Sequence, residues 1–367
     1  MSGVRWAEQG REQAARWLCE GGWPPPEDVV VVDDELTADT ALRLVREGSS
    51  LLWRGDFQNA RQLLDALGRR VRRGAKTPKG DPRAVFHAYR DARTREASLL
   101  GRLLVPLDAG NAVPLRRAPD VRQAVGRVYE PGEPSVIPLR ELLGILGAEQ
   151  WRERGIEVPA VGGRIHPHYG VFAPTRQEYV DLVAQAPLPS KDVAFDIGTG
   201  TGVLAAVLAR RGVGRVVATD ADPRALACAQ ENVERLGLDV EIVRADLFPR
   251  GRAGVAVCNP PWLPGKAASG LDHAVYDPGG RMLHGYLDRL RAHLLPGGEG
   301  WLVLSDLAEH LGLRTREELL ARFDRAGLRV EDRLDARPVH PRAADTGDPL
   351  HAARAAEVTS LWRLAPT

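Results

Sequence analysis

The tetrapeptide Asn259-Pro260-Pro261-Trp262 combines residue types that could hold and orient a planar amine. Two consecutive prolines cannot continue a strand or a helix, so they predict a rigid turn. The side-chain carbonyl of Asn259 and the backbone carbonyl of Pro260 are both acceptors, and together they can bind the two hydrogens of an –NH2 group. Trp262 adds a flat apolar face for a planar amide or base. The alternative interpretation is a structural turn beside a core tryptophan.

A glycine-rich segment, Asp196-Ile197-Gly198-Thr199-Gly200-Thr201-Gly202, follows the apolar run at 193–195. Glycines allow a tight turn and let a ligand approach the backbone closely. A helix that begins here would point its free N–H groups at the same place. The third glycine falls at 202, and Val203 stands where the G-x-G-x-x-G pattern of nicotinamide-binding proteins needs glycine. The spacing therefore favours a different cofactor.

Two further acids each follow an apolar, strand-like run. Asp220 ends the run at 216–219, where a carboxylate could accept hydrogen bonds from both hydroxyls of a ribose. The alternative role for Asp220 is a helix N-cap, but Asp222, directly before Pro223, suits that role better. Asp246 follows the run at 241–243 and could accept from the amino group of an adenine, or could simply form a turn.

The elements that must position these residues begin near residue 193. From there, short apolar runs alternate with helical patterns; the runs are VAFDIG, RVVATD, EIVRAD, GVAVCN and GWLVLSD. This alternation predicts an α/β fold with a parallel sheet that is covered by helices on both faces. In such sheets ligands bind outside the carboxyl ends of the strands. Since every candidate residue follows a strand, we expect them to lie at one edge.

These residues, in this order, resemble the motifs of class I S-adenosylmethionine (SAM)-dependent methyltransferases over about residues 165–335. The resemblance implies a Rossmann-like, seven-stranded fold, with SAM as cofactor and S-adenosyl-L-homocysteine as product. In that family the glycine turn lies against the methionine part of SAM, and residues 170–174 resemble the segment that packs over it. The residues implied to bind the cofactor are Phe172, Pro174, Asp196, Gly198, Thr199, Gly200, Gly202, Asp220, Ala221, Asp246, Leu247 and Asn259.

The tetrapeptide resembles the (Asn/Asp/Ser)-Pro-Pro-aromatic signature of methyltransferases that act on planar nitrogens. Catalysis by Asn259, Pro260, Pro261 and Trp262 would require mainly in-line positioning, because the donor methyl is already activated. Residues 276–281, YDPGGR, resemble a segment of glutamine methyltransferases, although those enzymes typically carry tyrosine in place of Trp262. We expect N-methylation of a macromolecule, with protein glutamine slightly ahead of RNA adenine N6 or guanine N2.

The chain of 367 residues suits two domains. Residues 1–160 are predicted to form a mainly helical, basic substrate-recognition domain, with one strand at 29–32, and residues 161–367 the catalytic domain. The linker is expected at 150–170. Between residues 61 and 104 there are 12 Lys/Arg against 4 Asp/Glu, which suits RNA or simply an arginine-rich surface.

Several other site classes are not expected. No apolar run approaches the ~20 residues that span a bilayer, and the N-terminus lacks the apolar core of a secretory signal. Three scattered cysteines fit a reducing compartment, so we expect a cytoplasmic protein without a membrane partner. His166 and His168 lack a nearby third ligand, so no metal is expected. His340 and Asp348, on a loop between the last two strands, could line the substrate cleft.

Overall fold

The computed structural model describes residues 3–73, 80–265, 276–338 and 345–367. The chain divides into two compact units. One comprises the described residues within Met1–Pro78 and His87–Gln150, and the other those within Lys79–Phe86 and Trp151–Thr367. This division follows Gln150, whereas the sequence placed the boundary after residue 160.

The first unit contains a mixed sheet. Its strands are β1 (Gly3–Glu8), β2 (Arg11–Trp17), β3 (Val29–Val32), β4 (Ser50–Trp53), β5 (Leu103–Leu107) and β6 (Ser135–Pro138). Their order in the sheet is β1-β2-β6-β5-β4-β3. Strands β3, β4 and β5 are parallel, and β6 runs antiparallel to β5. The helices are α1 (Ala38–Glu47), α2 (Phe57–Arg73), α3 (Pro82–Leu100), α4 (Arg122–Gly126) and α5 (Leu139–Arg154), although the start of α3 and the end of α5 belong to the second unit.

Helices do make up most of the regular structure in this part, but the prediction of a single strand is wrong because it missed the other five strands of the sheet. The strand at 29–32 is confirmed, as are helices over the apolar patterns that begin at residues 41 and 60. Strands β4 and β5 are short, fully buried apolar runs, and periodicity alone cannot distinguish such runs from pieces of buried helix. Strands β1 and β2 are rich in Glu, Arg and Gln, which are not typical strand residues.

The predicted linker at 150–170 is also wrong. A short hairpin of β7 (Ile156–Val158) and β8 (Gly163–Ile165) occupies this region. Four of its apolar side chains belong to the core of the second unit: Ile156, Val158, Val161 and Ile165. The glycines that suggested a linker instead make tight turns, since Gly155 and Gly162 have φ angles of 65° and 62°.

The second unit has the α/β architecture expected from the sequence. Its further strands are β9 (Val193–Ile197), β10 (Arg215–Asp220), β11 (Glu241–Arg244), β12 (Ala253–Cys258), β13 (Leu294–Ser305), β14 (Leu328–Ala336) and β15 (Thr359–Pro366). Among the described residues, these seven form one sheet in the order β11-β10-β9-β12-β13-β15-β14. The first five strands in this order are parallel, and β15 is antiparallel to both of its neighbours.

Helices cover both faces of this sheet. They are α6 (Glu178–Gln185), α7 (Val203–Arg210), α8 (Pro223–Arg235), α9 (Arg281–Leu290), α10 (Leu307–His310), α11 (Arg316–Arg325) and α12 (His351–Ala356). Side chains of α6, α7 and α8 pack with one set of strand residues, and those of α9 and α11 pack with the alternate set. No helix in the described ranges is both long and apolar enough to cross a membrane.

The chain order of the strands reverses between β9 and β12. From β9 the chain moves outward to β10 and β11, and then returns to place β12 on the other side of β9. Such a switch point leaves a crevice at the carboxyl ends of the two central strands. Residues 198–202 follow β9 and Asn259 follows β12, so the fold brings both predicted segments to this crevice.

Candidate functional site

The glycine turn between β9 and α7 has a backbone that glycine alone adopts easily. Gly198, Gly200 and Gly202 have φ angles of 71°, 53° and 80°. A Cβ atom at Gly198 would collide with the terminal methyl of Met282, and one at Gly202 would lie 3.1 Å from Ala229 Cα. At Gly200, in contrast, Val171 at 3.9 Å is the one described residue within 4 Å of such an atom. The turn therefore leaves room for a ligand beside Gly200.

The side chain of Asp196 stabilises this turn through hydrogen bonds. Its carboxylate accepts from Thr199 Oγ1 at 2.6 Å and from the Ala205 backbone N–H at 2.9 Å, so it links the turn to the first turn of α7. The side chain is buried, and this burial raises its pKa to about 6, against the lowering effect of the two hydrogen bonds. The nearby Asp220 charge raises the pKa further.

The raised pKa of Asp196 gives a stability prediction for the cofactor-free protein. With a folded pKa of about 6 and an unfolded value near 3.9, ionised Asp196 opposes folding, and stability falls as pH rises between these values. Asparagine cannot ionise, so the unfolding free energy of Asp196→Asn relative to wild type should increase by about 2 kcal/mol from pH 4 to pH 8. Urea titrations at both pH values measure this change; a constant difference between the two proteins would contradict it.

Asp220, at the end of β10, lies beside the glycine turn. One carboxylate oxygen accepts from the Gly200 N–H at 3.1 Å and the other from the Asp222 N–H at 3.0 Å. A carboxylate offers about four acceptor positions, so two stay available to a ribose. Burial raises the pKa of Asp220, and the backbone hydrogen bonds oppose this shift. Asp222 caps α8, because its side chain accepts from the Arg224 N–H at 2.9 Å, and this confirms the N-cap predicted for it.

The segment after β11 carries Asp246 and Leu247 at the outer side of the site. The Asp246 side chain is 91% exposed, and its carboxylate lies 3.4 Å from Arg289 Nη2. Thr219 Oγ1 donates to the Leu247 carbonyl at 2.5 Å, which ties this segment to the end of β10. Leu247 itself has a φ of 71°, an unusual value for a leucine. An adenine contact by Asp246 stays a prediction.

The segment before α6 lies over the glycine turn. Val171, as noted, is the residue nearest to the open side of Gly200. Phe172 is half-buried, with its ring centroid 6.4 Å from that of Tyr179 in α6, and Pro174 is buried. Ala221, in contrast, is an exposed residue next to Asp220. Their contacts with a cofactor stay predictions.

The tetrapeptide begins directly beside the glycine turn. Cys258 of β12 pairs with Ile197 of β9, so Asn259 and Gly198 are the next residues on two adjacent strands, and adjacent strands lie about 4.8 Å apart. The indole N–H of Trp262 donates to Asn259 Oδ1 at 2.8 Å. An amide oxygen has a second lone pair, which this bond leaves free.

Trp262 is contacted by Arg176, a residue that the sequence analysis did not predict to belong to the site. The guanidinium of Arg176 lies 5.0 Å from the centroid of the Trp262 ring. Arg176 is in turn bound by Glu178 and by Glu357, a residue 181 positions away along the chain. No local pattern could reveal this contact, because it depends on how α6 and β15 pack beside β12.

The remaining sequence candidates lie elsewhere or outside the described residues. His166 Nδ1 lies 2.6 Å from the Arg152 carbonyl, and His168 Nε2 lies 2.8 Å from a Glu231 carboxylate oxygen. Within the described ranges no cluster of three or more His, Cys, Asp or Glu residues could hold a metal. Asp348 pairs with Arg354 at 2.8 Å, and His340 lies outside the described residues.

The residues present fit SAM. The turn at 198–202 is open at Gly200, Asp220 has spare acceptor positions, and Asn259 stands beside the turn. Two carboxylates, Asp196 and Asp220, suit the positive charge of a sulfonium. These residues would hold the adenosine and methionine parts of the cofactor, which supplies an electrophilic methyl group when bound.

Residues 163–316 match the family described as the methyltransferase small domain. A putative protein N5-glutamine methyltransferase from Methanocaldococcus jannaschii is 29% identical over 160 residues, which cover 41% of this chain and 80% of that protein. Release factor glutamine methyltransferases from Moorella thermoacetica and Deinococcus radiodurans are 35% and 36% identical over 158 residues. The matches cover 36% and 40% of this chain and 56% and 54% of those proteins.

The present chain thus spans only about half the length of the two release factor enzymes that it matches. The match nevertheless includes the glycine turn, the acids at 220 and 246, and the tetrapeptide, all of which lie within residues 163–316. Residues 163–316 therefore match the methyltransferase small-domain family, and this part of the chain has the fold and the motifs of a SAM-dependent methyltransferase.

Proposed function

We propose that the protein methylates the side-chain amide nitrogen of a glutamine in another protein. The observation that supports this proposal is the pairing of Ile197 with Cys258, because it makes Asn259 and Gly198 the next residues on two adjacent strands. Relatives named as glutamine methyltransferases support the same substrate.

The site can act by orientation alone. A primary amide has two N–H donors in one plane, and two acceptors on a rigid turn fix that plane. With the amide plane fixed, one face of the nitrogen would be turned toward the donor methyl. This arrangement provides the proximity and alignment that the transfer needs. As positive charge develops on the nitrogen, the same carbonyl dipoles stabilise it. The proton can leave after transfer, so no strong base is required beforehand.

We further propose that the first unit recognises the substrate. Helices α2 and α3 carry an arginine-rich surface, with exposed residues Arg61, Arg69, Arg72, Arg73, Arg93 and Arg95. This surface is the observation that favours the second candidate, RNA base methylation, since phosphate contacts supply affinity without sequence readout. Part of its charge is neutralised, however, because Glu96 pairs with both Arg72 and Arg93.

We also propose that the protein is cytoplasmic. All three cysteines are free thiols, and Cys228 and Cys258 are buried. Burial raises the pKa of Cys228 to about 12 and also that of Cys258, so neither is a reactive thiolate. Unpaired cysteines are typical of reducing compartments.

Labelling of a cell extract with tritiated SAM distinguishes the two substrates. We expect label that protease releases and RNase does not, and that complete enzymatic digestion converts to N5-methylglutamine. A reaction with Asn259→Ala enzyme serves as the background. Label that RNase releases would favour the RNA candidate, and transfer to neither polymer would contradict a macromolecular substrate.

A further inference from the structure

We propose that Arg176 is a positioning residue that holds the Trp262 ring in place. The indole N–H of the held ring then determines whether the oxygen or the nitrogen of the Asn259 side-chain amide meets the substrate. The inference rests on the proposed function, and it identifies the residues that set the geometry of that site. It is built from three consecutive contacts.

The first contact fixes the orientation of the Asn259 amide. The terminal torsion of asparagine is broad and nearly two-fold, so the oxygen and the nitrogen of its amide can exchange places. An indole N–H is a donor only, and it can therefore pair with the oxygen but not with the –NH2 group. The 2.8 Å bond from Trp262 Nε1 to Asn259 Oδ1 selects one orientation and keeps the second lone pair of Oδ1 for the substrate. A flipped amide would present a donor to the substrate's own donors.

The second contact holds the indole in place. The Arg176 guanidinium carbon lies 5.0 Å from the Trp262 ring centroid, within the range of a cation–π interaction. Trp262 is partly buried and packs against the apolar cores on both faces of the sheet, and Arg176 adds a polar contact on the ring. Arg176 also covers part of the Trp262 ring, on which a planar substrate group was predicted to stack. The area of the ring that is left for the substrate is therefore smaller.

The third contact fixes Arg176 itself. Its Nε donates to Glu178 at 2.7 Å and its Nη2 donates to Glu357 at 3.1 Å. Both carboxyl groups are buried, with 7% and 1% of each residue exposed. Glu357 also accepts from Ser305 Oγ at 2.6 Å, at the carboxyl end of β13. A guanidinium held by two buried carboxylates keeps its plane fixed, which a lysine could not reproduce.

This network is more than a satisfied structural ion pair. Glu357 Oε2 is buried and has no hydrogen-bond partner within the described part of the chain, so this carboxylate keeps an acceptor for a further donor. The network also stands at the same edge of the sheet as Asn259, because Ser305 and Cys258 end the adjacent parallel strands β13 and β12. The location of this network and its buried charged groups both support a role in positioning Trp262 and Asn259.

A double-mutant cycle tests the proposal, with transfer of tritium from SAM measured on whichever polymer the wild type labels. Trp262→Phe keeps a ring face for Arg176 but removes the indole N–H, and we expect kcat to fall about 30-fold. Arg176→Gln should lower kcat about tenfold by freeing the ring. If Arg176 acts only through the indole N–H, the double variant should equal Trp262→Phe. Effects that multiply, or a fully active Arg176→Gln, would overturn the proposal.

Two controls separate positioning from loss of structure. Arg333 and Arg316 lie 5.1 Å and 5.2 Å from the ring centroid of Trp362 on an outer strand of the same sheet, so Arg333→Gln removes one of these two cation–π contacts and should leave kcat unchanged. SAM affinity, measured by calorimetry, should be the same in every variant. If Arg176→Gln does not fold, the same cycle is run with Arg176→Lys, which keeps a charge between the carboxylates. A wild type that labels RNA would remove the glutamine proposal yet leave the cycle measurable.

Discussion

Replacing Asn259 by alanine is expected to lower kcat by about 10²–10³-fold, the usual effect of removing one polar group that stabilises charge in a transition state. In the proposed mechanism the side chain supplies one of the two acceptors for the substrate amide, and without it the nitrogen would no longer be held in line with the methyl group. The affinity for SAM should change little, because the turn at 198–202 and Asp220 stay intact. Tritium transfer and calorimetry with SAM measure the two quantities.

Asn259→Asp is the matched control for this prediction. It keeps an acceptor oxygen that can still pair with the Trp262 indole N–H, so its loss of kcat should be clearly smaller than that of the alanine variant. Equal losses in both variants, or unchanged turnover in the alanine variant, would show that the Asn259 oxygen does not orient the substrate.

Replacing Asp220 by alanine is expected to weaken SAM binding by about 10²-fold or more. The two carboxylate positions that the protein leaves free would bind the two ribose hydroxyls, and hydrogen bonds to a charged group contribute roughly 1.5–3 kcal/mol each. The Gly200 N–H would also lose its partner, which loosens the turn. Calorimetric titration of SAM into the purified variant measures the loss directly.

The neighbouring Asp222 provides the control. Asp222→Ala removes the N-cap of α8 and should destabilise the protein by about 1 kcal/mol, while SAM affinity stays within a few fold of wild type. Should both variants lose the same affinity, the effect of Asp220 would come from disturbance of this turn and not from a ribose contact.

The second half of the fold could be predicted because its signals are local. Each strand from β9 to β13 contains a short apolar run, and the helices between them have periodic patterns of their own. Parallel strands bring their carboxyl ends to one edge, so the meeting of Asp220, the glycine turn and Asn259 followed from the order of motifs alone.

The remaining features depend on distant parts of the chain. The hairpin of β7 and β8 looked like a linker, since its glycines are visible in the sequence but the core that buries Val158 and Ile165 is not. Asp196 matched a cofactor motif, yet in the structure its carboxylate binds Thr199 and Ala205. The clamp on Trp262 joins Arg176 to Glu357 from far along the chain, so only the tertiary packing reveals it.

The central claim is that the amide nitrogen of the substrate lies between the carbonyls of Asn259 and Pro260, facing a methyl donor bound over the glycine turn. The most direct test is a crystal structure with S-adenosylhomocysteine and a short glutamine peptide. We expect the amide nitrogen about 3 Å from both carbonyl oxygens, with its face toward the cofactor sulfur across a gap of one methyl group. A homocysteine sulfur away from residues 198–202, or a glutamine amide that does not contact Asn259, would contradict the account.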